Sequence, residues 1–268
     1  MSDSALRVTH LSPGEMSGRS VRVRNLTKVF RSRTGEVKAL DGLTFDVSQG
    51  EFLSILGPSG CGKSTLLRLV SGLLPFETGD LQVQKAGDAS PQHIGFIFQH
   101  PNLLPWRNVL ENLMLTVEIH RLDKKRYYPR AHELLELTGL TDFQKHYGHE
   151  LSGGMQQRVS LAAALMLNPS ILLMDEPFGA LDALTRDRLN VELLDLWSRG
   201  GQTVLFITHS IPEAIFLSDR ILVLSPRPGR LLDTIRVDLP RPRSIRASKT
   251  DPRFGTYVAR ISELMGLG

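Results

Sequence analysis

The residues best suited to chemistry lie in Gly57-Pro58-Ser59-Gly60-Cys61-Gly62-Lys63-Ser64-Thr65. The stretch fits the phosphate-loop spacing G-x-x-x-x-G-K-[ST]. Gly57, Gly60 and Gly62 carry no Cβ, so the backbone can take positive φ and press its N–H groups against an anion. A helix behind the loop aims its positive end at the same point. Lys63 brings a mobile point charge for β- and γ-phosphate oxygens, and the Ser64 hydroxyl can ligate Mg²⁺. Cys61, the only cysteine, lies inside the loop. It reads first as a small residue that fits, with thiol modification as the alternative.

Two further clusters stand out. Met174-Asp175-Glu176 follows the apolar run Ile171-Leu172-Leu173. A carboxylate at the end of a buried strand is costly unless a cation or substrate meets it. Asp175 therefore suits holding Mg²⁺ beside Ser64, directly or through one of the ion's own ligands, and Glu176 suits polarising a water for in-line attack on a phosphate. Leu151-Ser152-Gly153-Gly154-Met155-Gln156-Gln157-Arg158 combines an N-capping serine with two glycines that leave backbone N–H groups open at a helix start. A chain with two anion-binding helix ends invites a dimer in which each end completes the other's site.

Patterned elements must position these residues. Alternation predicts strands from Val21 and over Leu40–Val47, with a polar turn from Arg31 to Val37. Phe52–Leu56, Ile94–Phe98 and Thr203–Ile207 are short, mostly apolar strands, and Ile171–Met174 is an unbroken apolar run, as a parallel strand covered on both faces would be. Residues 107–169 read as a helical insertion, residues 183–198 as an amphipathic helix and Phe254–Met265 as a terminal helix. Residues 1–20 lack periodicity and read as a disordered leader. The alternation of strands and helices implies an α/β fold with a mostly parallel sheet and ligand sites at the strand C-ends.

The chain has 268 residues, 41% hydrophobic and 22% charged, enough for a real core. No apolar run reaches the ~18 residues of a membrane span, and no signal-peptide core is present. The net charge of +4 is local: eight Arg and Lys residues between Arg227 and Arg253 face only Asp233, Asp238 and Asp251. Few aromatics interleave with them, so nucleic acid is disfavoured. A solvated tail or a contact with anionic lipid headgroups is expected instead.

GPSGCGKST, LSGGMQQR and ILLMDEP, in this order, resemble the nucleotide-binding subunit of an ATP-binding cassette (ABC) transporter over roughly residues 20–237. The resemblance implies an α/β ABC ATPase fold, a P-loop NTPase core with a mostly parallel sheet and an antiparallel β subdomain, with an ATPase domain over 21–240, a helical subdomain over about 100–165 and a basic extension with a terminal helix over 241–268. It implies ATP hydrolysis with ATP and Mg²⁺. Gln99 resembles the glutamine that touches Mg²⁺ and the attacking water, and His209 resembles the histidine at the γ-phosphate. Phe30 holds the place of the aromatic that stacks on adenine, where tyrosine is commoner. Gly179-Ala180-Leu181-Asp182 resembles the loop that crosses a dimer interface. Two copies would sandwich two ATP molecules, each between one chain's phosphate loop and the other's Ser152-Gly153-Gly154.

Leu104-Pro105-Trp106-Arg107-Asn108-Val109, Glu213–Arg220 and Ser225-Pro226-Arg227-Pro228-Gly229-Arg230 are similar to the nitrate, sulfonate and taurine importer subfamily. The implied partners are a six-helix permease, received in a groove formed in part by residues 101–115, and indirectly an extracytoplasmic solute-binding protein. The implied place is peripheral, on the cytoplasmic face of the membrane. No coiled-coil insertion, second motif set or C-terminal regulatory barrel is expected. The alternative is a soluble or exporter-type ABC ATPase with a non-import partner.

Overall fold

The computed structural model describes residues 6–32, 35–84 and 94–267. They fall into two compact units, one within Met1–Lys85 and Thr203–Gly268, the other within Ala86–Gln202.

The first unit opens with β1 (Thr9–Leu11), α1 (Pro13–Met16), β2 (Arg19–Ser32), β3 (Gly35–Ser48), β4 (Phe52–Leu56), α2 (Lys63–Val70) and β5 (Thr78–Gln84). β2 and β3 pair antiparallel, with Val21 opposite Val47, Val23 opposite Phe45 and Leu26 opposite Leu43. These alternate residues are buried, which fixes the register. The turn expected over 31–37 is tighter, since β2 runs to Ser32 and β3 starts at Gly35; residues 33–34 lie outside the described residues.

The leader expected to be disordered over 1–20 carries structure from Thr9 onward. β1 joins the edge of β5 in parallel, His10 opposite Val83, and Met16 is fully buried. The strand has no apolar period because it borrows its order from backbone pairing with β5. β5 itself, Thr-Gly-Asp-Leu-Gln-Val-Gln, buries only Leu81 and Val83 and carries too weak an apolar signal to stand out in sequence.

The second unit comprises β6 (Ile94–Ile97), α3 (Val109–Ile119), α4 (Lys124–Leu137), α5 (Gly153–Leu165), β7 (Ile171–Asp175) and α6 (Ala183–Gly200). Asn108 caps α3: its side chain accepts from Glu111 N–H, and the Glu111 carboxylate accepts from Asn108 N–H. α5 packs with Val159, Leu161, Ala162 and Leu165 buried. β6 and β7 are parallel, with Ile97 opposite Met174.

The chain then returns to the first unit as β8 (Thr203–Ile207), α7 (Ile211–Leu217), β9 (Arg220–Leu224), β10 (Leu231–Arg236), α8 (Ile245–Thr250) and α9 (Pro252–Leu264). β4 lies between β8 and β9, parallel to both, and all five of its residues are buried. Phe52 packs on Phe206 with ring centroids 5.8 Å apart. α9 sets Phe254 and Ile261 into an apolar cluster with Ile215, Val223 and Ile235.

The basic segment is not a solvated tail. Arg243 is buried and donates to the carbonyls of Phe216 at 2.9 Å, Ser218 at 2.8 Å, Ile215 at 3.2 Å and Leu239 at 3.2 Å. These include the carbonyls that the end of α7 leaves without helical partners. Burial draws the guanidinium down to about 10, which leaves it charged at neutral pH. Arg241 donates to the Asp219 carboxylate and the Leu217 carbonyl, both at 2.8 Å. The other Asp219 oxygen accepts from Phe52 N–H at 2.9 Å, at the start of β4.

Candidate active site

In the first unit β4 delivers the chain into the phosphate loop, and α2 begins directly behind it at Lys63. Gly62 precedes the helix at φ 108°, and a Cβ there would stand 2.7 Å from Leu40 Cδ2 and 2.8 Å from the Ala39 carbonyl oxygen. Only glycine fits that backbone and that space. Lys63 is buried, and its Nζ donates to the carbonyls of Gly57 at 2.8 Å and Pro58 at 3.1 Å. The ammonium is thus held across the mouth of its own loop. Ser64 and Thr65 follow it on the first turn of α2, half-buried, while Ser59 and Gly60 are exposed at the loop tip.

Cys61 is fully buried, and burial pushes its thiol above the ordinary range. A buried thiol of raised pKa is a poor nucleophile, so the small-residue reading is the one this environment supports. Phe30 exposes 41% of its surface near the end of β2, and Lys28 Nζ lies 5.2 Å from its ring centroid. An open aromatic face backed by a cation is available for a flat ligand.

His209 is exposed just beyond β8. The residues around it are locked. The Thr208 hydroxyl donates to the buried Glu213 carboxylate and accepts from Ser210 N–H at 3.0 Å. Ser210 in turn caps α7, its hydroxyl oxygen accepting from Glu213 N–H at 3.4 Å. Sequence reasoning missed this brace, although Ser210-Ile-Pro-Glu213 has the spacing of a capping box.

In the second unit the parallel register carries Gln99 opposite Glu176, two residues past the Ile97–Met174 pair. Gln99 Nε2 donates to Glu176 Oε2 at 3.5 Å. Asp175, the last residue of β7, is only 6% exposed, whereas Glu176 is half-buried and Gln99 exposed. Glu176 has φ 46°, a left-handed conformation that costs a non-glycine residue about 1–2 kcal/mol. The chain bends away after it, and Gly179 N–H donates back to the Glu176 carbonyl at 3.1 Å.

Asp182 caps α6, accepting from Leu184 N–H at 3.1 Å and Thr185 N–H at 3.0 Å. Those bonds, Thr185 first, hold its carboxyl below the usual range. Arg186 ties down the preceding loop by donating to the carbonyls of Leu181 at 2.8 Å and Phe178 at 3.3 Å. Ser152 and Gly153 lie exposed at the start of α5, with the Ser152 hydroxyl oxygen accepting from Met155 N–H at 3.3 Å. Gly154 is half-buried against Thr185, whose Cγ2 would lie 3.1 Å from a Cβ there. The structure thus gathers Gln99, Asp175 and Glu176 at adjacent strand ends and sets Ser152–Gly154 at a separate helix end.

The profile of the ABC transporter family matches residues 40–179. The chain belongs to the ABC transporter family. This ABC subunit is 44% identical over 254 residues to the taurine import ATP-binding protein TauB of Rhizobium johnstonii, covering 91% of this chain and 96% of that one. It is 42% identical to TauB of Burkholderia pseudomallei, over 90% of this chain and 95% of the relative. An uncharacterized ABC transporter ATP-binding protein of Methanocaldococcus jannaschii is 43% identical over 91% of both chains. Among solved structures, an ATP-binding cassette dimer in a post-hydrolysis state bound to ADP and Pi superposes with a TM-score of 0.71 at 33% identity. That match covers 82% of this chain and 99% of the other. The ABC subunit is an ATP hydrolase with the ABC ATPase fold, and these relatives support its place in the nitrate, sulfonate and taurine importer branch. None of its described helices is long and apolar enough to cross a membrane.

Proposed function

We propose that this ATPase powers uptake of a small anionic solute, of sulfonate, taurine or nitrate type, through a separate six-helix permease at the cytoplasmic face of the membrane. The observation that carries the reading is the similarity to taurine import ATP-binding proteins along nine-tenths of the chain. An extracytoplasmic binding protein supplies the solute.

In the cycle we infer, the triphosphate lies along the phosphate loop and its adenine on Phe30. Lys63 exchanges the carbonyls of Gly57 and Pro58 for β- and γ-phosphate oxygens, so the cation is already desolvated when it meets the anion. N–H groups of Gly60, Cys61, Gly62, Ser64 and Thr65 line the same cradle, with Pro58 and Ser59 shaping its lip. Ser152, Gly153 and Gly154 of a second copy close over the γ-phosphate. Glu176 orients and polarises the attacking water, and Gln99, in contact with Glu176, holds that water from the other side. His209, fixed by the Thr208–Glu213 brace, donates to the γ-phosphate. Hydrolysis removes the group that bridges the two copies, and the dimer opens.

Ser64, Gln99 and Asp175 offer hydroxyl, amide and carboxylate oxygens, a donor set suited to a hard cation. Among the described residues no three His, Cys, Asp or Glu side chains converge, so Mg²⁺ would take its remaining ligands from phosphate and water. Bound there, it would neutralise charge on the β- and γ-phosphates.

The test is a pull-down. Tagged Glu176→Gln protein is incubated with solubilised membranes of its native cell and ATP, and co-purifying proteins are identified. A six-helix permease is expected. Recovery with no membrane protein, or with an exporter, would overturn the importer reading.

A further inference from the structure

We propose that Arg227 is a positioning residue for the phosphate loop, acting with Gly229 as a brace that turns two loop carbonyls outward. The proposal rests on the reading of that loop as the ATP phosphate site.

Ser225-Pro226-Arg227-Pro228-Gly229-Arg230 joins β9 to β10, and no role assigned above uses it. The segment closes on itself. Ser225 N–H donates to the Arg230 carbonyl at 2.9 Å, Arg230 N–H donates to the Ser225 hydroxyl oxygen at 3.0 Å, and that hydroxyl shares its proton between the carbonyls of Pro226 at 2.8 Å and Pro228 at 2.9 Å. One side is tied to β3. Gly229 N–H donates to the Ala39 carbonyl at 2.9 Å, Asp41 N–H donates to the Gly229 carbonyl at 3.0 Å, and Arg230 Nε donates to the Asp41 carboxylate at 2.9 Å.

The other side bears on the phosphate loop. A Cβ on Gly229 would stand 2.2 Å from the Cys61 carbonyl oxygen, so the approach is open to glycine alone. Arg227 Nε donates to the Gly60 carbonyl at 3.1 Å across 167 residues of sequence. A trans peptide points its carbonyl and its N–H in opposite directions. The Gly60 oxygen held by Arg227 turns Cys61 N–H inward, where it donates to the Pro58 carbonyl at 3.3 Å. The Cys61 oxygen, packed against Gly229 with no hydrogen bond between them, puts Gly62 N–H on the opposite side of that peptide. Gly62 N–H is then directed at the cradle before an anion arrives, while Cys61 N–H is kept on the Pro58 carbonyl beside it, and the ordering cost of binding falls. A glycine-rich loop without this brace would visit other conformations, because Gly60 and Gly62 sit at φ 75° and 108° where glycine moves freely.

The test uses the full chain and calorimetric titration with MgATP and MgADP. Arg227→Ala is expected to weaken both nucleotides about threefold to tenfold. Its kcat at saturating ATP should stay within about twofold, since positioning in the free protein is a cost of binding. The nucleotide-free melting temperature should move by no more than about 2 °C, the cost of one exposed hydrogen bond. Arg227→Lys keeps the charge and loses the planar Nε donor, and should be weakened comparably. The loss should be the same at about 0.05 M and 0.5 M salt, because a conformational cost is not screened. Unchanged affinity in Arg227→Ala, full affinity in Arg227→Lys, or a loss that vanishes at high salt would each overturn the brace. Wild-type protein that bound neither nucleotide would instead sink the phosphate-site reading itself.

Discussion

Lys63 and Glu176 illustrate two ways a residue is prepared for a reaction. Lys63 is held by two carbonyls that a phosphate must replace, so its charge is stored in place and not recruited from solvent. Lys63→Ala should lose about tenfold to hundredfold in ATP affinity, measured by titration; unaltered affinity would refute the role. Glu176 sits at φ 46°, a strained backbone directly after a buried strand. Glu176→Gln removes the base but keeps the shape. It should bind ATP as before and hydrolyse it at least about a hundredfold more slowly, read by phosphate release. These residues were legible in the sequence because their motifs are local: glycine spacing, a capping serine, carboxylates after an apolar run. Arg227 and Glu213 were not assigned roles from sequence, because their meaning depends on Gly60, far away in the chain, and on a side-chain turn around Thr208.

At the scale of elements, α7 has its N-terminus beside His209 and its C-terminus clasped by Arg243. Arg243→Met removes the donor from four buried carbonyls and should cost about 2–4 kcal/mol, lowering the melting midpoint by roughly 5–10 °C. An unchanged midpoint would show that water can replace the clasp. α9 offers a pH test. Asp251 caps it, and the hydrogen bond from the Arg253 side chain, then that from its backbone N–H, hold the Asp251 carboxyl down at about 2. Its folded value lies below the unfolded one of about 3.9, so its stabilisation is complete above that value. It is lost as pH falls from about 4 to 2. Asp251→Asn should flatten this part of an acid-unfolding curve, and an identical curve would place the acid sensitivity elsewhere. The parallel strands and main helices were legible from apolar runs and period. β1, β5 and the inward turn of the basic segment were not, because backbone pairing and carbonyl capping leave no mark on hydrophobic pattern.

For the whole molecule, the basic excess has a structural destination. Arg230, Arg241, Arg253 and Arg260 pair with Asp41, Asp219, Asp251 and Asp233, which leaves less free charge for a polyanion than composition suggests. Duplex DNA should therefore show no steeply salt-dependent binding; tight retention at low salt that collapses with added salt would reopen the nucleic-acid alternative. Glu176→Gln protein should double in mass by light scattering when ATP is added, and a persistent monomer would contradict the sandwich. The bond between Arg227 and Gly60 also sets a timetable for synthesis. The glycine loop leaves the ribosome 167 residues before the arginine that steadies it. At about 5–20 residues per second, it waits roughly ten to thirty seconds without its partner. A nascent chain stalled short of residue 227 would thus display every residue of the nucleotide motif and still grip nucleotide loosely, so firm binding would mark a chain that has been made past residue 227.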